Sequence, residues 1–273
     1  MGINYLIKTA NEIRKGIIVS VASAKSGHPG GSLSCADILS YLYFEQMNVD
    51  PKNPKMADRD RFVLSKGHCA PALYSVLANK GYFDVEILKT LRKPDSILQG
   101  HPDMKGTPGV DMSSGSLGQG ISAAAGMALS AKLSGDKYNV YTLLGDGEIS
   151  EGQVWEALMF AAHKKLTNLC VIIDNNDLQI DGSLEEVNSP YPIDEKLKAF
   201  GFNTLVIDGH NFDEIKMAFD SFLNTNDKPT AIVAKTIKGK GVSFMENECD
   251  WHGSAPNAEQ AEIALKELEG SVK

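Results

Sequence analysis

Apolar side chains recur at helical spacing along several stretches of the chain. Between positions 3 and 24 they fall three or four residues apart, which predicts an amphipathic helix. The spacing resumes at 70–79 and 85–91, and it predicts helices at 36–44, 121–133, 150–165, 211–223 and 257–269, the last one polar and on the surface. Short apolar runs predict buried strands at 61–65, 139–145, 169–174, 203–207 and 230–236.

Strands that alternate with helices in this order indicate an α/β fold. We expect a doubly wound, mainly parallel sheet with helices on both faces. No linker-like shift in composition occurs, so we expect residues 1–273 to form a single domain. Ligands of such sheets bind beyond the carboxyl ends of the strands. Four unusual clusters follow predicted strands at that edge, where we therefore expect the functional site: KGH, GDG, DNND and KTIKGKG.

Composition narrows the class of protein. The formal net charge of −8 argues against a nucleic-acid-binding surface, and 42% hydrophobic residues suit an ordinary globular core. Four cysteines stand far apart without a C-x-x-C pair, as is typical of reduced thiols: Cys35, Cys69, Cys170 and Cys249. Charged residues interrupt the first apolar segment, and no apolar run is long enough to cross a bilayer. We expect a cytoplasmic protein.

Acidic and amide residues end two consecutive predicted strands. Asp146 follows strand 139–145, and Asn175 and Asn176 follow strand 169–174. Consecutive parallel strands are often neighbours, so these side chains should lie side by side. Their hard oxygen donors suit Mg²⁺ or Ca²⁺, and Mg²⁺ is normally shared with substrate phosphates. The spacing therefore predicts a metal-bridged diphosphate site. The alternative is a helix-capping aspartate followed by an asparagine turn.

Four of the six histidines lie beside glycine in loops at the same edge: His28, His68, His101 and His252. They are too dispersed for a zinc motif. A neutral imidazole donates from one nitrogen and accepts at the other, so the four suit a ligand rich in hydroxyl and carbonyl oxygens. A single histidine in a loop is more often a surface residue, but four in glycine-rich loops at one edge favour a binding site. We interpret His163, on the exposed side of a helix, and His210, in a turn, as ordinary residues.

Several motifs together resemble the transketolase family. GDG followed by NN about one βαβ unit later is the signature of thiamin-diphosphate enzymes, and this chain has GDGEISEG and DNND. Other motifs match transketolase in the same order and at similar distances: SGHPGGSLS (26–34), FVLSKGHCAPALYSVL (62–77), LQGHPD (98–103) and SSGSLGQGISAAAGMA (113–128). The similarity runs from about residue 10 to about residue 255. It implies the thiamin-diphosphate-binding fold.

The resemblance implies thiamin diphosphate as the cofactor and Mg²⁺ as the metal, with Ca²⁺ or Mn²⁺ as substitutes. Asp146, Asn176 and the main-chain oxygen of Leu178 match the metal ligands. The implied cofactor contacts are His68, Gly115, Leu117, Gly145, Asp146, Gly147, Glu151, Asn176 and Ile180. The implied catalytic, substrate-facing residues are His28, His101, His252 and Glu151.

Some of these positions keep an alternative interpretation. Ile180 packs either on the thiazolium ring or in the core. Glu151 and Glu156 match acidic residues near the subunit face, although Glu156 could lie on a solvated helix face. Lys238 and Lys240 either offset the cofactor's negative charge or flank a loop that becomes ordered on binding.

The chain also resembles only the first part of a transketolase. We expect the pyrimidine-binding and C-terminal domains on a separate polypeptide, an α2β2 assembly by resemblance, and no activity from the isolated chain. The expected reaction transfers a two-carbon ketol unit from a ketose to an aldose, with sugar phosphates as substrates and the pentose phosphate pathway as the default role. Transfer to an unusual branched or sulfonated sugar stays open. The alternatives are a 2-oxoacid dehydrogenase alpha chain, a deoxyxylulose-phosphate-synthase-like subunit, or a non-catalytic cofactor-binding subunit.

Overall fold

The computed structural model describes residues 2–270, and a five-stranded parallel sheet lies at its centre. The strands are β1 (Arg61–Leu64), β2 (Val140–Gly145), β3 (Leu169–Asn175), β4 (Asn203–Asp208) and β5 (Thr230–Lys235). Their order across the sheet is β1-β2-β3-β5-β4, and every pair is parallel. The predicted mainly parallel α/β sheet is confirmed, and each strand agrees with its prediction to within one residue at either end.

Ten α-helices surround the sheet in the described part of the chain. They are α1 (Ile3–Ala24), α2 (Pro29–Ser34), α3 (Ala36–Tyr41), α4 (Ala70–Lys80), α5 (Gln119–Ser134), α6 (Gly152–His163), α7 (Leu184–Val187), α8 (Ile193–Ala199), α9 (Phe212–Asn224) and α10 (Ala258–Gly270). None of the helices within residues 2–270 is both long and apolar enough to span a membrane.

Alternate residues of each strand face opposite sides of the sheet, and both sides are covered. On one side, Tyr141 and Leu143 of β2 pack into a core with helices α1, α3, α4, α9 and α10. On the other side, Val140 and Leu144 pack into a second core with α5, α6 and α8. This two-sided burial explains why the strands read as continuous apolar runs in the sequence.

Three helix predictions need correction. The segment 36–44 is α-helical only to Tyr41 and continues as a π-helical turn, Leu42–Gln46. The segment 85–91 forms a 3₁₀ turn rather than a full helix. The polar helix at 257–269 is amphipathic, because Ala264 and Leu268 of α10 lie in the core against α1.

The glycine-rich segment after α1 contains a helix that we did not predict, α2. Proline at its first position suits a helix start. The glycines serve close packing: a Cβ at Gly30 would lie 2.9 Å from the carbonyl oxygen of Trp251, and one at Gly31 would lie 3.0 Å from Cys69 Sγ. A sequence that looks like a helix breaker is therefore a tightly packed helix at the edge of the sheet.

Candidate functional site

A cavity of about 270 Å³ opens at the carboxyl edge of the sheet. Strand register brings its walls together, since Gly145 of β2 pairs with Asp174 of β3, and Asn175 of β3 pairs with Lys235 of β5. The loops that follow β1, β2, β3 and β5 all reach it. Its lining residues are His28, Gly31, Lys66, His68, Gly115, Leu117, Gly145, Asp146, Gly147, Glu148, Asn176, Leu178, Gln179, Ile180, Lys238 and His252.

Three imidazole rings lie against one another in the lining of this cavity: His28, His68 and His252, here called the pocket histidines. Their ring centroids lie 5.2 Å (His28–His68), 5.6 Å (His28–His252) and 5.2 Å (His68–His252) apart. Burial is the main cause that lowers their pKa values, to about 4 for His28, about 4 for His68 and about 3 for His252. All three rings are therefore neutral at physiological pH, each with one donor and one acceptor nitrogen.

A buried carboxylate, that of Asp146, also lines the cavity. Asp146 accepts hydrogen bonds from the backbone N–H groups of Gly147 (2.8 Å) and Asp177 (2.7 Å) and from the Asn175 side chain (3.1 Å). Burial, followed by the charge of Asp174, raises its pKa to about 6. Asn175 in turn contacts Tyr191 and Lys235, so this asparagine holds the aspartate in place. The predicted juxtaposition of the β2 and β3 ends is confirmed.

A buried ion pair crosses the floor of the cavity. Lys66, from the KGH cluster, pairs with Asp174 of β3, and its ammonium also donates to the carbonyl oxygen of Gly31 at 2.7 Å. Asp174 accepts further hydrogen bonds from the hydroxyls of Ser34 and Thr236. Burial alone would raise the pKa of Asp174, but Lys66 and these hydroxyls hold it below its usual value. Both partners are therefore charged.

Glu148 connects three of the loops around the cavity. Its carboxylate accepts from the hydroxyl of Ser65 (2.5 Å) and from the backbone N–H groups of Gly118 (2.9 Å) and Gly145 (3.0 Å). These partners belong to the loop after β1, to the loop before α5 and to the end of β2, which continues into the loop of Glu148 itself. Only 2% of Glu148 is exposed, and burial is the main cause that raises its pKa. Glu148 thus fixes the relative positions of the three loops.

Lys238 brings a second positive charge into the cavity. Its ammonium lies 3.2 Å from the carbonyl oxygen of Leu178, 3.3 Å from that of Gln179 and 3.0 Å from His252 Nδ1. The side chain is 1% exposed, and burial is the main cause that lowers its pKa. Lys238 therefore joins the loop after β5 to the loop that follows β3.

Most of the predicted site residues line this cavity, but two do not. His101 is exposed and lies next to the loop of Gly115, where a Cβ would come 3.2 Å from the His101 ring. Glu151 is exposed at the start of α6, close to Gly118. Ile180 lines the cavity but is 66% exposed, so its alternative interpretation as a core residue is wrong.

Four further residues that the sequence analysis considered lie outside the lining of the cavity: Glu156, His163, Lys240 and His210. Glu156 and His163 are exposed on α6, as a solvated helix face requires. Lys240 is half-buried beside Glu246 and does not line the cavity. His210 does lie in a turn, but its ring is bonded on both sides, to Asp37 and to the backbone of Ile237.

Sequence reasoning missed four side chains that line or support the cavity: Lys66, Glu148, Asp174 and Gln179. Three of them lie inside motifs that we had singled out, namely KGH, GDGE and DNND. A charged residue at a strand end suggests a binding site, but the rotamer and the neighbouring strand decide whether its side chain points into a cavity or into solvent. From the sequence alone, these residues could not be distinguished from surface charges.

The donors and orphaned atoms of the cavity fit a metal-bound diphosphate. Within the described residues, His28 Nδ1 and Gln179 Nε2 are buried without a hydrogen-bond partner. Residues 2–270 contain no group of three or more His, Cys, Asp or Glu suited to a metal. The candidate metal ligands are the carboxylate of Asp146, the amide oxygen of Asn176 and the carbonyl oxygen of Leu178. Mg²⁺ commonly completes so small a set of protein ligands with phosphate oxygens and water. Of the two lysines that line the cavity, Lys66 is paired with Asp174, so Lys238 supplies the positive charge for an anion.

Comparison with known proteins agrees with this geometry. The model of the family described as "Transketolase, thiamine diphosphate binding domain" matches residues 7–270. The chain is 47% identical over 260 residues to the 6-deoxy-6-sulfo-D-fructose transketolase subunit SqwG of Clostridium sp. (strain MSTE9), covering 95% of this chain and 94% of that protein. It is 43% identical over 273 residues to an apulose-4-phosphate transketolase subunit of Phocaeicola vulgatus, covering 100% of this chain and 97% of that protein.

Solved structures agree as well. A transketolase from Campylobacter jejuni superposes with a TM-score of 0.92 at 34% identity, covering 98% of this chain but only 43% of that one. The fold and cavity thus define a thiamine-diphosphate-binding domain, and the chain belongs to the transketolase family through that domain. It matches proteins named as transketolase subunits over 94% or more of their length, so the resemblance to the N-terminal subunit of a split transketolase is confirmed.

Proposed function

We propose that this chain forms the diphosphate-binding half of a thiamin-diphosphate- and Mg²⁺-dependent transketolase. The enzyme would transfer a two-carbon ketol unit from a ketose donor to an aldose acceptor. The observation that carries the proposal is a single cavity lined by both a buried aspartate and three neutral histidines. The aspartate suits a metal-bound diphosphate, and the histidines suit a polyhydroxylated substrate.

Asp146, the amide oxygen of Asn176 and the main-chain oxygen of Leu178 would hold the metal. Lys238 now contacts the Leu178 oxygen at 3.2 Å, so its ammonium would turn from that oxygen toward the diphosphate. Gly147 packs closely against Gln179, since a Cβ there would lie 3.0 Å from Gln179 Cγ, and we propose that its backbone contacts the diphosphate. The other cofactor contacts that we propose are His68, Gly115, Leu117, Gly145 and Ile180.

When bound, thiamin diphosphate supplies a nucleophilic carbon and then accepts the electron pair of the two-carbon unit. The protein must orient the substrate and move protons. A neutral imidazole can do both, and the orphaned Nδ1 of His28 is free to bond a substrate oxygen. His101 and Glu151 would act at the mouth of the cavity, where their exposure leaves room for a ligand or a partner chain.

A partner chain would complete the site. This chain spans 43% of the solved transketolase from Campylobacter jejuni, and its relatives at similar length are named as subunits. Ile180, at 66% exposure on the cavity rim, would be covered by that partner. We therefore propose that residues 1–273 form one domain, that the pyrimidine-binding and C-terminal domains lie on a second polypeptide, and that the two form an α2β2 enzyme.

The donor sugar would carry an anionic tail. The relatives described above are named for 6-deoxy-6-sulfo-D-fructose and for apulose 4-phosphate, which carry a sulfo group and a phosphate. The family match favours transketolase over the 2-oxoacid dehydrogenase and deoxyxylulose-phosphate-synthase alternatives. Comparing xylulose 5-phosphate, apulose 4-phosphate and 6-deoxy-6-sulfofructose as donors would separate a pentose phosphate role from a specialised one.

The four cysteines are free thiols, and three of them are buried. Burial raises the pKa of Cys35 to about 12, which makes this thiol unreactive. These features support a reducing compartment, and we propose the cytoplasm.

Reconstitution tests the proposed function. The purified chain is assayed for ketol transfer with thiamin diphosphate and Mg²⁺, alone and with the C-terminal partner. We expect activity only with the partner, and robust turnover by the isolated chain would refute the split. In the reconstituted complex, Asp146→Ala should abolish turnover, while Asp227→Ala, whose side chain is 74% exposed, should leave it unchanged. An unchanged rate with Asp146→Ala would instead indicate a non-catalytic scaffold.

A further inference from the structure

A second buried polar cluster lies outside the cavity. Arg14 of α1 and Asp37 of α3 form a two-pronged ion pair, with nitrogen–oxygen distances of 2.5 and 3.1 Å. Arg14 is 7% exposed and Asp37 6%. His210, in the turn after β4, places Nδ1 at 2.7 Å from Asp37 Oδ2. The cluster therefore joins two helices to a loop at the carboxyl edge of the sheet.

The hydrogen bonds of His210 define its tautomer. The backbone N–H of Ile237 points at His210 Nε2, with a nitrogen–nitrogen distance of 2.9 Å, and a backbone N–H can only donate. Nε2 is therefore the acceptor, and Nδ1 carries the proton that it donates to Asp37. Burial alone would raise the pKa of Asp37, but Arg14 and His210 hold it at about 2, so the acceptor is a carboxylate.

The residue after Ile237 is Lys238, which belongs to the cavity. Its ammonium contacts the carbonyl oxygens of Leu178 and Gln179 and the ring of His252. The next residue, Gly239, donates its N–H to the carbonyl oxygen of Gly30 at 2.9 Å. The backbone at 237–239 is thus held on one side by His210 and on the other by α2. A shift of Ile237 would move Lys238 within the cavity.

We propose that His210 is a positioning residue for the cofactor cavity, because it transmits the fixed position of the Arg14–Asp37 ion pair to the backbone that carries Lys238. This inference rests on the proposed function, in which Lys238 faces the cofactor's diphosphate. His210 itself touches neither the cavity nor any residue proposed to hold the metal. Its effect on cofactor binding passes through Ile237 and Lys238.

Two substitutions separate positioning from simple stabilisation. In His210→Gln, the side-chain oxygen can reach the place of Nε2 and accept from Ile237, while the bond to Asp37 is lost. In His210→Asn, the amide nitrogen can take the place of Nδ1 and donate to Asp37, while the Ile237 N–H is left unpaired. If the role of His210 is purely structural, losing the bond to Asp37 should be the more harmful change. If His210 positions the cavity, losing the bond to Ile237 should weaken cofactor binding more.

Hydrogen exchange and cofactor affinity provide the measurements. Exchange of peptides covering 236–242 is followed by mass spectrometry in the full chain, with a β3 peptide as the internal control. Thiamin diphosphate affinity is measured with Mg²⁺ in the complex with the C-terminal partner. We expect His210→Asn to speed exchange in 236–242 and to weaken cofactor binding about tenfold, the usual effect of one unpaired buried donor. His210→Gln should stay within about twofold of the wild type in both measurements.

Several outcomes would overturn the inference. If both variants bind the cofactor like the wild type, or if His210→Gln is the weaker binder, His210 does not position Lys238. If the wild-type complex binds no thiamin diphosphate, the proposed function fails, while the exchange measurement still tests the link between His210 and the loop. Should His210→Asn not fold, nitrogen NMR of the wild type decides: a proton on Nε2 of His210 contradicts the proposal, and a proton on Nδ1 supports it.

Discussion

Replacing Lys66 by methionine should strongly destabilise the fold. Lys66 is 1% exposed and its partner Asp174 0%, so the substitution leaves a carboxylate buried without a counter-charge. Methionine fills a similar volume, so the lost charge dominates the effect. The Asp174 carboxylate keeps its bonds from the hydroxyls of Ser34 and Thr236.

The size of the effect follows from the burial of the pair. Removing one partner of a buried ion pair costs about 3–5 kcal/mol of unfolding free energy. Because two hydroxyls still bond the Asp174 carboxylate, we expect a value near the lower end, about 3 kcal/mol at neutral pH. An exposed pair such as Lys198–Asp194, with Lys198 55% exposed, contributes far less. Lys198→Met should therefore cost less than about 0.5 kcal/mol and is the matched control.

The pH dependence gives a second check on the same variant. In the wild type the pKa of Asp174 is held below 3.8, so the pair stabilises the fold above that pH and this contribution is lost only as the pH falls through the lower, folded-state pKa. Without Lys66, burial raises the pKa of Asp174, and the carboxyl takes up a proton on mild acidification. The cost of Lys66→Met should therefore shrink as the pH falls toward about 4.

Urea unfolding of the full chain, followed by circular dichroism, measures these differences. A double-mutant cycle with Asp174→Asn isolates the coupling between the two side chains, because the double variant leaves no unpaired charge. A cost below about 1 kcal/mol for Lys66→Met, or one that does not change with pH, would refute the assignment of a charged, structurally important pair.

Three further predictions concern the surroundings of the cavity. Glu148→Gln should lower the free energy of unfolding by about 1–3 kcal/mol and weaken thiamin diphosphate binding, because the new amide NH₂ would face a backbone N–H donor. An unchanged melting temperature together with an unchanged cofactor affinity in calorimetric titration would contradict this. In an NMR titration the pKa values should be about 4 for His28 and His68 and about 3 for His252, so the free energy of unfolding should fall as the pH drops below 6.5 toward those values. Titration of the three rings near pH 6.5 would contradict their burial. Gly120→Ala should lower the free energy of unfolding by about 1–3 kcal/mol, because its Cβ would lie 2.6 Å from Ser65 Cα, whereas Gly126→Ala, which meets open space in α5, should raise it by about 0.5–1 kcal/mol. Urea unfolding that ranks the two variants in the reverse order would argue against this packing.

The apolar pattern predicted the strands well because buried parallel strands are continuous apolar runs. The order of the predicted strands also indicated that Asp146 and Asn176 would be neighbours, because these residues follow two consecutive strands. The sequence does not disclose that β5 lies between β3 and β4 in the sheet. That order brings Lys238 to the cavity, and it depends on tertiary packing rather than on local pattern.

The polar interior was harder to predict than the fold. Lys66, Glu148 and His210 look like ordinary strand-end or turn residues in the sequence, and their roles depend on partners far away along the chain. His210, for example, bonds Asp37, 173 positions away. A single sequence carries no sign of such a pair. Glycine gave a misleading signal in α2, where it serves close packing instead of ending a helix.

Anomalous diffraction from Mn²⁺ is the decisive test of a metal-bound diphosphate in the cavity. Crystals of the chain in complex with its C-terminal partner are grown with thiamin diphosphate and Mn²⁺ in place of Mg²⁺. We expect one anomalous peak in the cavity, within bonding distance of Asp146, the amide oxygen of Asn176 and the carbonyl oxygen of Leu178, with the diphosphate completing the coordination of the metal. A bound cofactor without a peak at these three oxygens, or a peak elsewhere in the chain, would contradict it.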